Sequence, residues 1–244
     1  MIWEQRKFNY EQPTTIPGLV SIILPTYNRR KFLSERLHDI TQQVYKNWEL
    51  IVINDGGEDV EDLLSGMPNT RYINLKENSK SVSIPRNIGI SYARGEFIAP
   101  TDDDVRMHPY KLQMLIENIG SAPLCYGNRL DVYLKTDTIK EGKVFADWNP
   151  LIESGVDNGQ LIYRKQVYEK INYVISTHAC DYHLAKEIYK NYGKFKYIVP
   201  FVCSYYWHEG NRSLSEARKT VPLLIQNFKK YFNVHNDILI VREQ

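Results

Sequence analysis

Residues 95–104 read Gly-Glu-Phe-Ile-Ala-Pro-Thr-Asp-Asp-Asp, an apolar segment that runs directly into three consecutive aspartates. Its centre, residues 97–99, is typical of a short buried strand. Two longer apolar runs precede it at residues 20–24 and 49–53, and polar residues follow each of them. The sequence therefore predicts three buried strands that each end in polar side chains.

Helical spacing of apolar residues separates these strands, over about 30–45 and 83–93. This alternation predicts an α/β fold with a mostly parallel, Rossmann-type sheet flanked by helices. Ligands of such sheets bind at the carboxyl ends of the strands, so the polar residues there are expected to meet in one crevice. They are Pro25, Thr26, Tyr27 and Asn28 after the first strand, Asn54, Asp55 and Gly56 after the second, and Asp102, Asp103 and Asp104 after the third.

The rest of the chain is less regular, and no linker or internal repeat divides it. We predict one domain over residues 1–244, made of two lobes that meet near residue 105. The other predicted elements are short helices at 59–65 and 165–171, helices at 109–119, 179–191 and 214–232, strands at 71–75, 123–134, 159–164 and 196–203, and a final apolar run at 238–241.

Composition excludes several classes of protein. The chain has 244 residues and a formal net charge of +2, too small a surplus for a protein that binds nucleic acid strongly. Mean hydropathy is −0.45, and no apolar run approaches the roughly 20 residues of a transmembrane helix. The three cysteines form no CxxC pair, and the first residues lack the apolar stretch of a signal peptide. We therefore expect a cytoplasmic protein.

The three adjacent aspartates suit a divalent cation. Neighbouring carboxylates repel one another, and their oxygens are the ligands that Mg²⁺ and Mn²⁺ prefer. The alternative is a solvated acidic turn, which is common in loops.

Two further residues are candidates for binding a nucleotide. Asp55 could accept a hydrogen bond from the ring N–H of uracil or guanine, although an aspartate in a turn is common. Arg86, at the start of a predicted helix with Lys80 upstream, could face a diphosphate. Plain surface exposure explains these cations equally well.

Together, four ordered motifs resemble those of family 2 glycosyltransferases with the GT-A fold. The resemblance is strong over about 20–110 and weaker over 150–213. The motifs are VSIILPTYNR at 20–29, WELIVINDG at 48–56, RNIG at 86–89 and GEFIAPTDDD at 95–104.

This resemblance implies a role for each motif residue. Pro25, Thr26 and Tyr27 would line the nucleotide pocket, Asp55 would bind the base, and Arg86 would lie near the ribose or the phosphates. Asp102 and Asp103 would lie beside the ribose and the donor sugar, and Asp104 would hold Mn²⁺ or Mg²⁺.

The second half of the chain would supply the acceptor site. Residues 159–164 resemble the strand beside the acceptor. Asp181 follows Cys180 where the family has Glu-Asp, so Asp181 inherits the role of catalytic base; its alternative is a helix N-cap. His208 matches a histidine that can reach the metal or the diphosphate, and its alternative is a structural histidine. If Asp181 is only a cap, Asp157 and Glu153 are the next candidates for the base.

The sequence departs from the family in three places. Asn54 replaces the first residue of the usual Asp-Asp pair, which leaves the base-binding second position intact. Cys180 replaces the usual glutamate, which puts a supporting contact at the acceptor site in doubt. The glycine-rich turn usually found before this pair is missing, so the assignment of Asp181 is less secure than that of Asp104.

The resemblance implies inverting, metal-dependent transfer of a sugar from a nucleoside-diphosphate donor, with a UDP-sugar favoured, to a hydroxyl of a glycan or lipid-linked acceptor. Residues about 18–105 would bind the nucleotide sugar, about 106–213 the acceptor, and about 214–244 would form a C-terminal helix and tail. Such a protein would work in the cytoplasm, with peripheral contact at the inner face of a membrane left open. Rival interpretations are a haloacid-dehalogenase-like phosphatase, a sugar-phosphate nucleotidylyltransferase and a non-catalytic GT-A-like binding module.

Overall fold

A computed structural model of the chain describes residues 13–133, 136–143, 145–152, 155–171, 173 and 180–207. The strands are β1 (Ile16–Thr26), β2 (Trp48–Asn54), β3 (Thr70–Asn74), β4 (Gly95–Pro100), β5 (Val105–Met107), β6 (Leu124–Tyr133), β7 (Thr138–Glu141), β8 (Leu161–Arg164) and β9 (Lys196–Trp207). The helices are α1 (Arg30–Thr41), α2 (Ser83–Ser91), α3 (Lys111–Ile119) and α4 (Cys180–Tyr192).

Within the described residues, nine strands form one sheet in the order β3-β2-β1-β4-β8-β6-β9-β5, with β7 paired to β6. Strands β3, β2, β1 and β4 are parallel, as predicted. Strand β8 then joins antiparallel to β4, and β6 joins antiparallel to β8. The predicted α/β fold is confirmed, and its parallel pairing is concentrated in the first half of the chain.

The register of the parallel strands determines where the site can form. Thr26 at the end of β1 lies beside Asn54 at the end of β2. On the other side of β1, Ile23 is paired with Pro100, the last residue of β4. The residues that follow β1, β2 and β4 therefore leave the sheet at the same edge.

Both faces of the sheet are buried, which explains the continuous apolar runs of its parallel strands. Ile22 and Leu24 point to the face covered by α1 and α3, whereas Ile23 points to the face covered by α2 and α4. Helix α2 packs closely because Gly89 has no side chain; a Cβ there would lie 2.6 Å from Cδ1 of Ile53.

Some local details differ from the predictions. The short helices predicted at 59–65 and 165–171 are 3-10 helices, and they are shorter than predicted, at Glu61–Leu64 and Lys165–Glu169. The first of them ends before Ser65, whose ψ of 125° is not helical. The short strands β5 and β7 were not predicted. The predicted helix at 214–232 and the run at 238–241 lie outside the described residues.

None of the helices in the described part of the chain has the length and apolar character needed to cross a bilayer. The division of the chain into two functional halves near residue 105 stays a prediction.

Candidate active site

Asp103 ties the loop after β4 to the end of β1. Its side chain is 6% exposed and accepts hydrogen bonds from Thr26 Oγ1 and Arg29 Nη1, both at 2.9 Å. Burial raises the pKa of Asp103 to about 6, although the charge of Arg29 opposes this shift. The carboxylate therefore faces the protein interior and fixes the loop.

Asp104 is the more accessible neighbour, with 19% of its side chain exposed. Its Oδ2 accepts a hydrogen bond of 2.8 Å from Nη1 of Arg29. Burial lowers the pKa of Arg29, but the carboxylates of Asp103 and Asp104 outweigh this effect and raise it overall. One guanidinium therefore pairs with both carboxylates.

Sequence reasoning missed Arg29. The residue was quoted only as the end of the first motif, and nothing local connects it to aspartates more than 70 positions away. The signal that could have found it is its place four residues after Pro25, at the sheet edge where the aspartates were already expected.

Arg86 lies between two carboxylates from opposite halves of the chain. It projects from α2 and is only 3% exposed. Its Nη2 donates to Oδ1 of Asp102, and its Nη1 donates to Oδ1 of Asp181 at 2.8 Å. The structure thus brings Asp102 and Asp181 to the same guanidinium.

Cys180 completes this group. Its sulfur accepts from Nη1 of Arg86 and donates to Oδ1 of Asp181, each at 3.1 Å. Because α4 begins at Cys180, Asp181 lies inside the first turn and does not occupy an N-cap position. A carboxylate in the first turn still interacts favourably with the helix dipole.

Asp55 is held in place at the end of β2. Its carboxylate accepts hydrogen bonds from the backbone and side chain of Ser79, at 2.9 and 3.0 Å, and from Nδ2 of Asn78 at 3.2 Å. The adjoining Gly56 has a φ of 71°, and a Cβ there would lie 2.2 Å from the carbonyl carbon of Glu77. The turn therefore requires glycine at this position.

The other predicted nucleotide residues differ in exposure. Pro25 is buried at the end of β1, and Tyr27, the next residue but one, is 42% exposed. Trp148 is 3% exposed. It packs against Tyr126 and Phe195, at centroid distances of 5.7 and 5.5 Å, so it belongs to the core.

A second group of charged side chains surrounds Asp157. Asp157 accepts a hydrogen bond from Arg129, which also pairs with Asp131 at 3.0 Å. The pKa of Asp157 is raised to about 6, and burial is the largest cause. The positive charge of Arg129 lowers this pKa, whereas the negative charges of Asp181 and Asp102 raise it further.

Lys111 is fully buried, and burial lowers its pKa to about 8. Its Nζ has no hydrogen-bond partner among the described residues. Asp157 and Asp102 raise the Lys111 pKa, so the three charges interact.

Two predicted candidates, His208 and Glu153, lie outside the described residues. Within the described ranges, no group of three or more His, Cys, Asp or Glu side chains is arranged to hold a metal ion. The two predicted metal ligands are Asp104 and His208, and of these two the structure describes Asp104.

A model of the family described as glycosyl transferase family 2 matches residues 21–180 of the chain. The chain is 29% identical over 172 residues to the uncharacterized glycosyltransferase YwdF of Bacillus subtilis, and this match covers 63% of the chain and 61% of that relative. It is 28% identical over 206 residues to WfgD of Escherichia coli, a UDP-Glc:alpha-D-GlcNAc-diphosphoundecaprenol beta-1,3-glucosyltransferase. This match covers 77% of the chain and 76% of that relative. The chain thus spans less than two thirds of YwdF.

Solved structures share the fold. The structure of S. aureus TarS 1–349 in complex with UDP-GlcNAc superposes with a TM-score of 0.67 at 19% identity, covering 79% of this chain and 59% of that one. The mannosyltransferase PcManGT of Pyrobaculum calidifontis, in complex with GDP-Man and Mn²⁺, superposes with a TM-score of 0.58 at 18% identity, covering 96% and 69%.

Proposed function

The chain belongs to glycosyl transferase family 2, and we propose that it transfers a sugar from a nucleoside diphosphate to a hydroxyl of a glycan or lipid-linked acceptor. The observation that carries this proposal is the pairing of Arg86 with both Asp102 and Asp181. Asp102 follows a strand of the proposed nucleotide half, and Asp181 lies in the first turn of a helix of the proposed acceptor half. Their shared partner supports one crevice in which donor and acceptor can meet.

Asp55 would bind the base of the donor. Ser79 and Asn78 orient its carboxylate, and the carboxylate oxygens retain lone pairs for a further N–H. Uracil and guanine both present such a ring N–H. We favour UDP because TarS is described with UDP-GlcNAc and WfgD is named for UDP-Glc.

Asp104, with His208, would hold a divalent ion. The fit rests on its partial exposure and on Oδ1, which has no hydrogen-bond partner in the described part of the chain, whereas Asp103 faces inwards. One carboxylate with substrate phosphates is a common way to bind Mg²⁺. When bound, the ion would offset the charge of the leaving diphosphate.

Asp181 would act as general base. Its Oδ1 accepts from Arg86 and Cys180, and Oδ2 has no hydrogen-bond partner in the described part of the chain. As the acceptor oxygen bonds to the anomeric carbon, the bond from that carbon to the diphosphate oxygen breaks and the hydroxyl proton passes to Oδ2. This single displacement inverts the anomeric centre and needs no covalent intermediate.

We also propose that the protein works in the cytoplasm, in peripheral contact with the inner face of a membrane. The support is the name of WfgD, which describes an acceptor linked to diphosphoundecaprenol.

A thermal-shift screen of UDP, GDP and dTDP, with Mn²⁺ or with EDTA, tests donor binding directly. Because a ligand that binds only the folded protein raises its stability, UDP with Mn²⁺ should raise the melting temperature most. Release of UDP from UDP-glucose and UDP-GlcNAc then tests turnover. Hydrolysis of p-nitrophenyl phosphate without UDP release would favour the phosphatase, and binding without turnover would favour the binding module.

A further inference from the structure

The guanidinium of Arg86 is enclosed, and both of its terminal nitrogens donate to protein groups, whereas its buried Nε has no hydrogen-bond partner among the described residues. Its side chain is 4% exposed, and its Cζ lies over the ring of Tyr173, 5.4 Å from the ring centroid. Nη2 donates to Asp102, whereas Nη1 donates to Asp181 and Cys180. A donor diphosphate that bound the two terminal nitrogens would have to displace the carboxylates that already pair with them.

The pairing is expensive to break. A buried charge that loses its partner is strongly destabilising, so Arg86 and its two carboxylates form a unit that is stable only when complete. Asp102 and Asp181 would repel each other without the cation between them. Arg86 therefore fixes the distance between the two halves of the crevice at this point.

The same contacts orient the carboxylate of Asp181. Nη1 of Arg86 and the thiol of Cys180 both bind Oδ1, at 2.8 and 3.1 Å. Two donors on one oxygen fix the rotation of the carboxylate. Oδ2, which none of the described residues contacts by a hydrogen bond, then faces a single direction.

We propose that Arg86 is a positioning residue for the base Asp181 and not a ligand of the donor diphosphate. This inference rests on the proposed function. In the transfer step the proton moves from the acceptor hydroxyl, or from water during donor hydrolysis, to Oδ2 of Asp181. Arg86 gives up no proton and makes no bond to substrate, and its effect on the rate passes through Asp181.

A double-mutant cycle tests this role with release of UDP from UDP-glucose and UDP-GlcNAc in Mn²⁺. Arg86→Ala should lower the turnover rate by about 100-fold, the effect expected when a reacting group is misplaced. In the Asp181→Asn background the same change should lower the remaining rate by less than about threefold, because both changes remove one function. Affinity for UDP, measured by calorimetry, should stay within about threefold of the parent protein.

Guanidinium chloride at millimolar concentration supplies a second readout. It should restore part of the turnover of Arg86→Ala and none in the double variant, with sodium chloride as the ionic-strength control. Arg94→Ala is the matched control, because Arg94 is 46% exposed and pairs with Glu49 near the opposite ends of the strands. It should change neither turnover nor the response to guanidinium.

If Arg86→Ala fails to fold, Arg86→Lys carries the test, since lysine keeps the charge but cannot donate to both carboxylates in the fixed fork of arginine. Losses that multiply in the double variant, or a loss of UDP affinity as large as the loss of rate, would overturn the proposal and return Arg86 to the diphosphate. A parent protein that binds no nucleotide and releases no UDP would overturn the proposed function and this inference with it.

Discussion

Asp157 offers a test of how burial affects a carboxylate in this protein. Burial raises its pKa from an ordinary 3.8 to about 6, so the folded protein binds this proton more tightly than the unfolded chain. The resulting stabilisation is fully present below pH 3.8 and is lost as the pH rises through about 6. Linkage gives a gain of about 2 kcal/mol in the free energy of unfolding between pH 7.5 and pH 4.5.

Asp157→Asn cannot titrate and can still accept a hydrogen bond from Arg129. We therefore expect that the variant does not gain this stability at low pH. The free energy of unfolding of the variant minus that of the parent should be about 2 kcal/mol higher at pH 7.5 than at pH 4.5. Urea unfolding at both pH values measures the difference, with Asp147→Asn as the control at an exposed carboxylate of the same half. The same relative stability at both pH values would refute the reasoning.

Three further changes test the residues that follow β1 and β2. Gly56→Ala should lower the free energy of unfolding by about 1–3 kcal/mol, because it strains a backbone that already approaches Glu77; unchanged urea unfolding would contradict this. Asp55→Ala should lower the UDP binding free energy by about 1–3 kcal/mol in calorimetry, and equal affinity would remove the residue from the base site. Arg29→Gln should strengthen binding of Mn²⁺ alone by up to about fivefold, because it frees the carboxylate of Asp104; weaker binding would indicate that Arg29 supports the metal site.

Much of the fold could be predicted because its parallel strands are buried on both faces and so appear as continuous apolar runs. The residues after those runs were expected to converge, and the structure does bring Thr26, which follows the first run, to Asp103, which follows the third. Strand β5 was missed because it has only three residues. Strand β7 was missed because only one of its four residues is apolar, so it shows no apolar pattern.

The pairing of the charged groups could not be predicted. Arg86 was expected near phosphates because its position at a helix start suits that role, but its partners depend on how α4 docks 95 positions later. Arg29 is the last residue of the first motif, yet its contacts follow only from the fold of the loop after β4. Which cation meets which carboxylate is decided by tertiary packing, which local patterns do not encode.

The central claim is that Asp181 takes the proton during sugar transfer. The most direct measurement compares UDP release by the parent and by Asp181→Asn, under saturating UDP-sugar and Mn²⁺, with UDP affinity and urea unfolding measured on the same samples. Asparagine keeps the shape but cannot accept the proton at neutral pH, so turnover should fall by about 10²–10⁴-fold while affinity and stability change little. Turnover equal to that of the parent would contradict the account and leave Asp181 as a structural residue of α4.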